Sequence, residues 1–306
     1  MRAPGGTSRW RLFLGVIAFA IWAPPSLVGL PCAALLAAAP DRSARTRIAA
    51  ALLGATSLAL LVLPGGRLAA AIAAYTVLVT AAFVAGAVLA PTVFLRQALR
   101  AVCFGGVATA VLVQLVWGAS GWGALAWDAT RDAGLTMRLI VEFQPEAFSL
   151  YEPVVRFIST TAPGMLALQS LAGLALAWQW HAHLTPEPLG APLAPFREFK
   201  IGDAWVWGVI AWLGLLIAPV SGVLKLAGTN LGLVLGALYV LRGAAIVVTF
   251  AQVLGVSAAA LVIAAGVAAA LAAPLLFLLP GLCTLGITDT WYQYRRRLAA
   301  RRPNAM

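Results

Sequence analysis

The residue in this chain most in need of a chemical explanation is Arg242. It lies within Leu-Tyr-Val-Leu-Arg-Gly-Ala-Ala-Ile-Val-Val, an apolar run from which water is excluded if the run is a membrane helix. Placing an arginine there costs at least about 2.5–3.5 kcal/mol on insertion scales, so it must face protein or water and find acceptors. Two readings stay open: a structural arginine bonded to the carbonyls of a broken helix, and one that contacts a substrate. Other polar residues at membrane depth are Asn230 and Gln252 on the same stretch, with Gln114 and Gln169 elsewhere. On one helix Asn230 and Gln252 fall several turns to either side of Arg242, so local geometry does not gather them. A substrate site predicts that Arg242 lines a closed polar cavity with Gln169 or Gln252, and Asn230 is carried as a further candidate. A structural arginine predicts carbonyl partners and no cavity.

The remaining chemistry-bearing residues are sparse. Asp203 heads an apolar run, where a carboxylate caps free amides and meets the positive end of the helix dipole. Asp289 and Arg295 lie at the end of the last apolar stretch, and all three are read as structural or interfacial residues. No acidic residue falls clearly within a span, so a carboxylate proton relay lacks its parts. His181 and His183 are the only histidines. Two residues apart, they do not share a helix face, and without nearby Cys, Asp or Glu they make no metal site. Cys32, Cys103 and Cys283 are far apart in apolar sequence and read as small buried residues. Phosphate-binding loops, zinc-protease motifs and nucleophile elbows are absent from the sequence. No catalytic residue, metal or cofactor is therefore expected, and the chain does not read as an enzyme.

The elements that must position these residues are membrane helices. Of 306 residues, 62% are hydrophobic and 10% charged, with a mean hydropathy of +0.94. Soluble domains carry about 25% charged residues, and that difference excludes a water-exposed globule. Long unbroken apolar runs point to helices rather than barrel strands. At roughly 20 residues per crossing, the length accommodates about six to eight spans. The fold expected is an all-α polytopic transmembrane helix bundle, a single membrane domain over 1–306. It comprises an N-terminal helix group at 11–117, an interfacial or loop segment at 118–160 and a C-terminal helix group at 161–306. Pro24-Pro25 break the first apolar segment into either a kinked span or two half-length helices. Arg2, Arg9 and Arg11 precede that segment as in a secretory signal, but hydrophobicity resumes through Ala39, so it reads as uncleaved. Pro64-Gly65-Gly66-Arg67 and Pro91 to Arg96 separate the next spans.

Residues 118–160 differ. Asp128, Asp132, Glu142, Glu146 and Glu152 lie here with Arg131, Arg138 and Arg156, while Leu135, Leu139 and Phe143 recur at a spacing of four. Such a pattern suits an amphipathic helix at the membrane interface, with Trp122 and Trp127 at headgroup level. The net charge of +11 is dispersed in short clusters between apolar runs, which sets topology and is not a nucleic-acid footprint. Counting Lys and Arg places both termini in the cytoplasm when the first and last segments both span and when both fold back as hairpins, and disfavours a hairpin at one end only. Gly232-x-x-x-Gly236 is the spacing that lets helices approach closely.

Three stretches of the second half carry a resemblance. Phe196-Arg-Glu-Phe-Lys-Ile-Gly-Asp203-Ala-Trp-Val-Trp207 heads a span, and Asn230 precedes Tyr239-x-x-Arg242-Gly243. The exit reads Gly286-Ile-Thr-Asp289-Thr-Trp-Tyr-Gln-Tyr-Arg295. Together with the proline-broken first segment, they resemble the YybS-like family of bacterial membrane proteins. That family is distantly similar to the substrate-binding S components of energy-coupling-factor transporters, which bind a vitamin or metal ion and borrow energy from a partner. Ala33-x-x-x-Ala37 would correspond to the small-residue docking face of those components. The resemblance implies a multi-pass protein of the bacterial inner membrane, whose partners are the lipid bilayer, a membrane protein and a small-molecule ligand, with no nucleic acid. Its activity would be binding or transport of a small solute. The alternative is a non-transporting scaffold or regulatory protein linked to the cell envelope or division.

Overall fold

Pro24 and Pro25 divide the first apolar stretch into two helices, α1 (Arg9–Trp22) and α2 (Ser26–Ala38). At 1.5 Å per residue each is about 20 Å long, short of the roughly 30 Å hydrocarbon core. The computed structural model describes residues 9–41, 43–63, 65–271 and 273–300. Arg2 and Pro64, on which the charge and breaker readings draw, lie outside them. Helices α3 (Ala44–Val62), α4 (Arg67–Leu89), α5 (Phe94–Phe143) and α6 (Tyr151–Leu184) follow, with a 3-10 turn at Pro145–Leu150 between the last two. After the proline-rich loop and a 3-10 turn at Phe196–Glu198 come α7 (Trp205–Ile217), α8 (Gly222–Val253), α9 (Ala258–Leu271), α10 (Ala273–Tyr292) and α11 (Tyr294–Ala300). All regular structure among the described residues is helical, as the apolar runs predict.

Five of the described helical segments are long and apolar enough to cross a membrane: Ala44–Val62, Arg67–Leu89, Phe94–Phe143, Phe148–Leu184 and Gly222–Val253. Ser26–Ala38 and Trp205–Ile217 are shorter apolar helices. Large apolar side chains such as Ile21, Leu89, Leu115 and Ile217 are about four-fifths exposed, a surface that lipid covers and water would not tolerate. The chain is a multi-pass helical membrane protein.

The chain forms two compact units, Met1–Leu193 and Ala194–Met306. In the first, α2 packs against α3, α4 and α6, and α5 packs against α4 and α6. Its core centres on Phe83 and Leu35, both fully buried, with Trp178 edge-on to the Phe83 ring at 5.8 Å. In lipid such contacts act through close packing, which small residues permit. A Cβ at Gly173 would meet the Leu27 carbonyl of α2, and one at Gly105 would strike Val79 of α4. Ala33 is buried, with its Cβ facing Gly54 of α3, so that half of Ala33-x-x-x-Ala37 is occupied within this chain.

Helix α5 has 50 residues, about 75 Å, more than twice the hydrocarbon thickness. It bends at Gly118, whose φ of 63° favours glycine. Beyond the bend, Ala133 and Met137 pack on Val155, with Tyr151 and Val154 of α6 around them. The charged middle segment is thus a helical hairpin. Leu135, Leu139 and Phe143, the residues of the predicted apolar face, point away from its core and are exposed.

The α2–α3 connection is held by Asp41. Its carboxylate accepts from Thr46 Oγ1 at 2.6 Å, from Ser43 N and Oγ at 3.0 Å, and from Thr185 Oγ1 at 3.5 Å at the end of α6. Ser43 in turn accepts from the Thr46 amide as the α3 cap. The Thr46 bond, then the Ser43 amide, hold the Asp41 carboxyl below its ordinary range. A depressed folded value means stabilisation that is complete above the unfolded value of about 3.9 and lost as pH falls through the folded one. Thermal unfolding in detergent should therefore show an advantage over Asp41→Asn at neutral pH that starts to decline below about pH 4 and is lost in stronger acid. An advantage persisting unchanged into stronger acid would refute the assignment.

Candidate functional site

Arg242 is 1% exposed on α8, and the second unit is built around it. Gly243 and Gly286 allow that: a Cβ at Gly243 would strike the carbonyl of Leu282, and one at Gly286 the carbonyl of Tyr239. With only hydrogens there, α8 and α10 come into backbone contact, and Asp289 reaches the guanidinium. The two helices advance in the same direction. Past the Arg242–Asp289 pair, Thr249 of α8 and Arg295 of α11 converge on one acceptor, the carbonyl of Arg197. Gly232 meets the Trp212 ring of α7, whereas Gly236 faces nothing within 4 Å. Close approach therefore uses Gly243 and Gly286, one of them on a helix the predicted motif does not contain.

All three guanidinium nitrogens are engaged. Nε donates to Asp289 Oδ2 at 3.1 Å, and Nη2 lies 3.0 Å from both that oxygen and Asp203 Oδ1. Nη1 donates to Ile201 O at 3.4 Å and Thr290 Oγ1 at 3.3 Å. The second oxygen of Asp289 accepts from the amide of Tyr294, the first residue of α11, across a turn where Gln293 has φ 48°. Arg295 approaches Asp289 at 3.6 Å and donates to the carbonyls of Arg197 and Phe199, both at 3.0 Å. Arg242, Arg295, Asp203 and Asp289 thus form a neutral network that ties the segment before α7 to α8, α10 and α11. Burying such charges costs several kcal/mol per ion unless each is paired and hydrogen-bonded, as here.

The partners of Arg242 differ from both sequence expectations, being chiefly carboxylates. Asp203 does not cap α7 with its side chain; the capping position is Ala204, and the Asp203 carboxylate turns to Arg242. Gln169 lies in the other unit and donates to the Trp22 carbonyl at 2.6 Å, beside the Pro24-Pro25 break where regular helix bonding fails. Asn230 donates back to Leu226 O one turn earlier, and Gln252 is exposed near the end of α8. Neither Asn230 nor Gln252 joins the Arg242 network. His181 is fully buried beside the Trp178 ring, while His183 bonds the Gln179 carbonyl.

An open cavity of about 370 Å³ adjoins the network. Besides Arg242, Arg295, Asp203 and Asp289, its wall carries Arg197, Lys200 and Arg296 against the single carboxylate of Glu198. Sequence reasoning passed over those four wall residues because basic residues beside apolar runs read as topology signals. One signal was available for the network: Glu198, Asp203 and Asp289 are the only acidic residues after residue 193, so the acceptor for a buried Arg242 had few sources. No family model, no curated protein and no solved structure matches this chain.

Proposed function

We propose that this membrane protein binds a small polar solute in the cavity beside Arg242, as the recognition component of a transport process energised by a separate membrane partner. The observation that carries this reading is the cavity itself: a charged recess at the ends of α8 and α10, in a unit that is otherwise apolar. Arg242 acts there as the organiser of the wall, since its nitrogens are already bonded within the protein. The resemblance to YybS-like proteins and to S components supports the same reading. So does the absence of an energy-coupling motif in the sequence. On this reading the protein lies in a bacterial inner membrane with both termini in the cytoplasm, and the basic residues of α11 favour a cavity that opens on that side. It performs no catalysis of its own.

Purification in mild detergent, with identification of co-purifying proteins and metabolites, tests the reading. A retained solute together with an energising membrane complex is the expected result. Cell-envelope or division proteins alone, with no solute, would sink it. The scaffold reading is favoured by one observation, the complete internal bonding of Arg242, and that outcome would establish it.

A further inference from the structure

We infer that the cavity takes its ligand through a phosphate group; this rests on the binding reading above and names its substrate class. The argument is one of charge. Arg242 and Arg295 are balanced by Asp203 and Asp289, and Arg197 lies 3.6 Å from Glu198. That leaves two cations on the wall with no carboxylate partner among the described residues, Lys200 and Arg296. Among the described residues, the Arg296 guanidinium bonds the neutral Gln293 side chain, at 3.0 Å. They approach from different elements, Lys200 from the irregular segment between the 3-10 turn and α7, and Arg296 from α11. A carboxylate neutralises one of them. A phosphomonoester carries about −1.5 to −2 charges and three acceptor oxygens, which matches two separate cationic donors. The site lies where α10 ends, next to the exposed rings of Trp291 and Tyr292, side chains that favour the headgroup layer. Basic pockets between membrane helices at that depth hold lipid phosphates as readily as soluble ones. The shared chemistry is the phosphate, and its source is a question for experiment.

The test uses the full chain in phosphatidylcholine nanodiscs, titrated calorimetrically with glycerol 3-phosphate, and native mass spectrometry after adding phosphatidic acid, which carries the same group on a lipid. At least one should bind, and Lys200→Gln with Arg296→Gln should weaken it by about tenfold or more. Lys200→Arg, which keeps the charge, should retain binding, separating recognition from misfolding. Binding of glycerol 3-phosphate assigns a soluble phosphoester and supports both readings. Retention of phosphatidic acid alone keeps the phosphate inference and defeats the solute reading. If neither binds while a phosphate-free solute co-purifies, the inference is overturned and the solute reading stands. Binding that the double variant leaves unchanged also overturns it.

Discussion

Asp289→Ala should lower the stability of the protein by about 3–5 kcal/mol, whereas Asp203→Ala should cost only about 1 kcal/mol. Both carboxylates lie 3.0 Å from Arg242 Nη2, so distance alone predicts equal effects. Burial separates them. The Asp289 side chain is 5% exposed and Asp203 45% exposed. Water replaces the Asp203 carboxylate when it is removed, because the Asp203 side is open to the cavity. Asp289 borders the same cavity but its side chain is almost wholly enclosed by its partners, and its loss also releases Arg295 and the Tyr294 amide. Unfolding in one detergent, followed by tryptophan fluorescence, measures both variants. Equal losses would mean that Asp289 is solvated in the membrane.

The second large effect is steric. Gly286→Leu should destabilise by about 3 kcal/mol and disrupt the ion-pair network with it. A side chain at Gly286 meets the Tyr239 carbonyl and, at 3.1 Å, the Gly243 amide. These are backbone atoms of α8 and cannot rotate away, so the helices must separate. Separation lengthens the Arg242–Asp289 contact, which makes the steric and electrostatic effects one event. Gly236→Ala is the contrasting substitution, on the same α8 but facing open space. It should be neutral or stabilising by up to about 1 kcal/mol, from helix propensity alone. If Gly286→Leu were as mild as Gly236→Ala, the close approach of α8 and α10 would be wrong.

The helical class, the prolines that end helices and the anomaly at Arg242 were all legible in the sequence, because each is a local property. Apolar run length and missing donors act within a turn or two of the residue that causes them. The network around Arg242 was not legible in the same way, since its partners lie 39 and 47 residues away. Nothing near Asp203 or Asp289 distinguishes a carboxylate that caps a helix from one that crosses to another. The bond from Gln169 to Trp22 spans 147 residues and was equally hidden. Its cause is nevertheless local: the Pro24-Pro25 break leaves the Trp22 carbonyl in need of a donor. The packing of the central segment on α6 as a hairpin was not legible, because its exposed apolar stripe is visible in the sequence and its packed face is not. Ala133, Met137 and Val155 carry that face, and two of the three are small or unbranched residues that give a weak periodic signal.

A double-mutant cycle between Arg242 and Asp289 tests most directly whether the second unit is organised by one compensated buried charge. Arg242→Met and Asp289→Leu are made singly and together, and the unfolding free energies are compared in the same detergent. Mutual compensation predicts that the double variant is more stable than the sum of the single losses allows, with a coupling of about 2 kcal/mol or more. Losses that add to within about 0.5 kcal/mol would show two independent side chains and contradict the account.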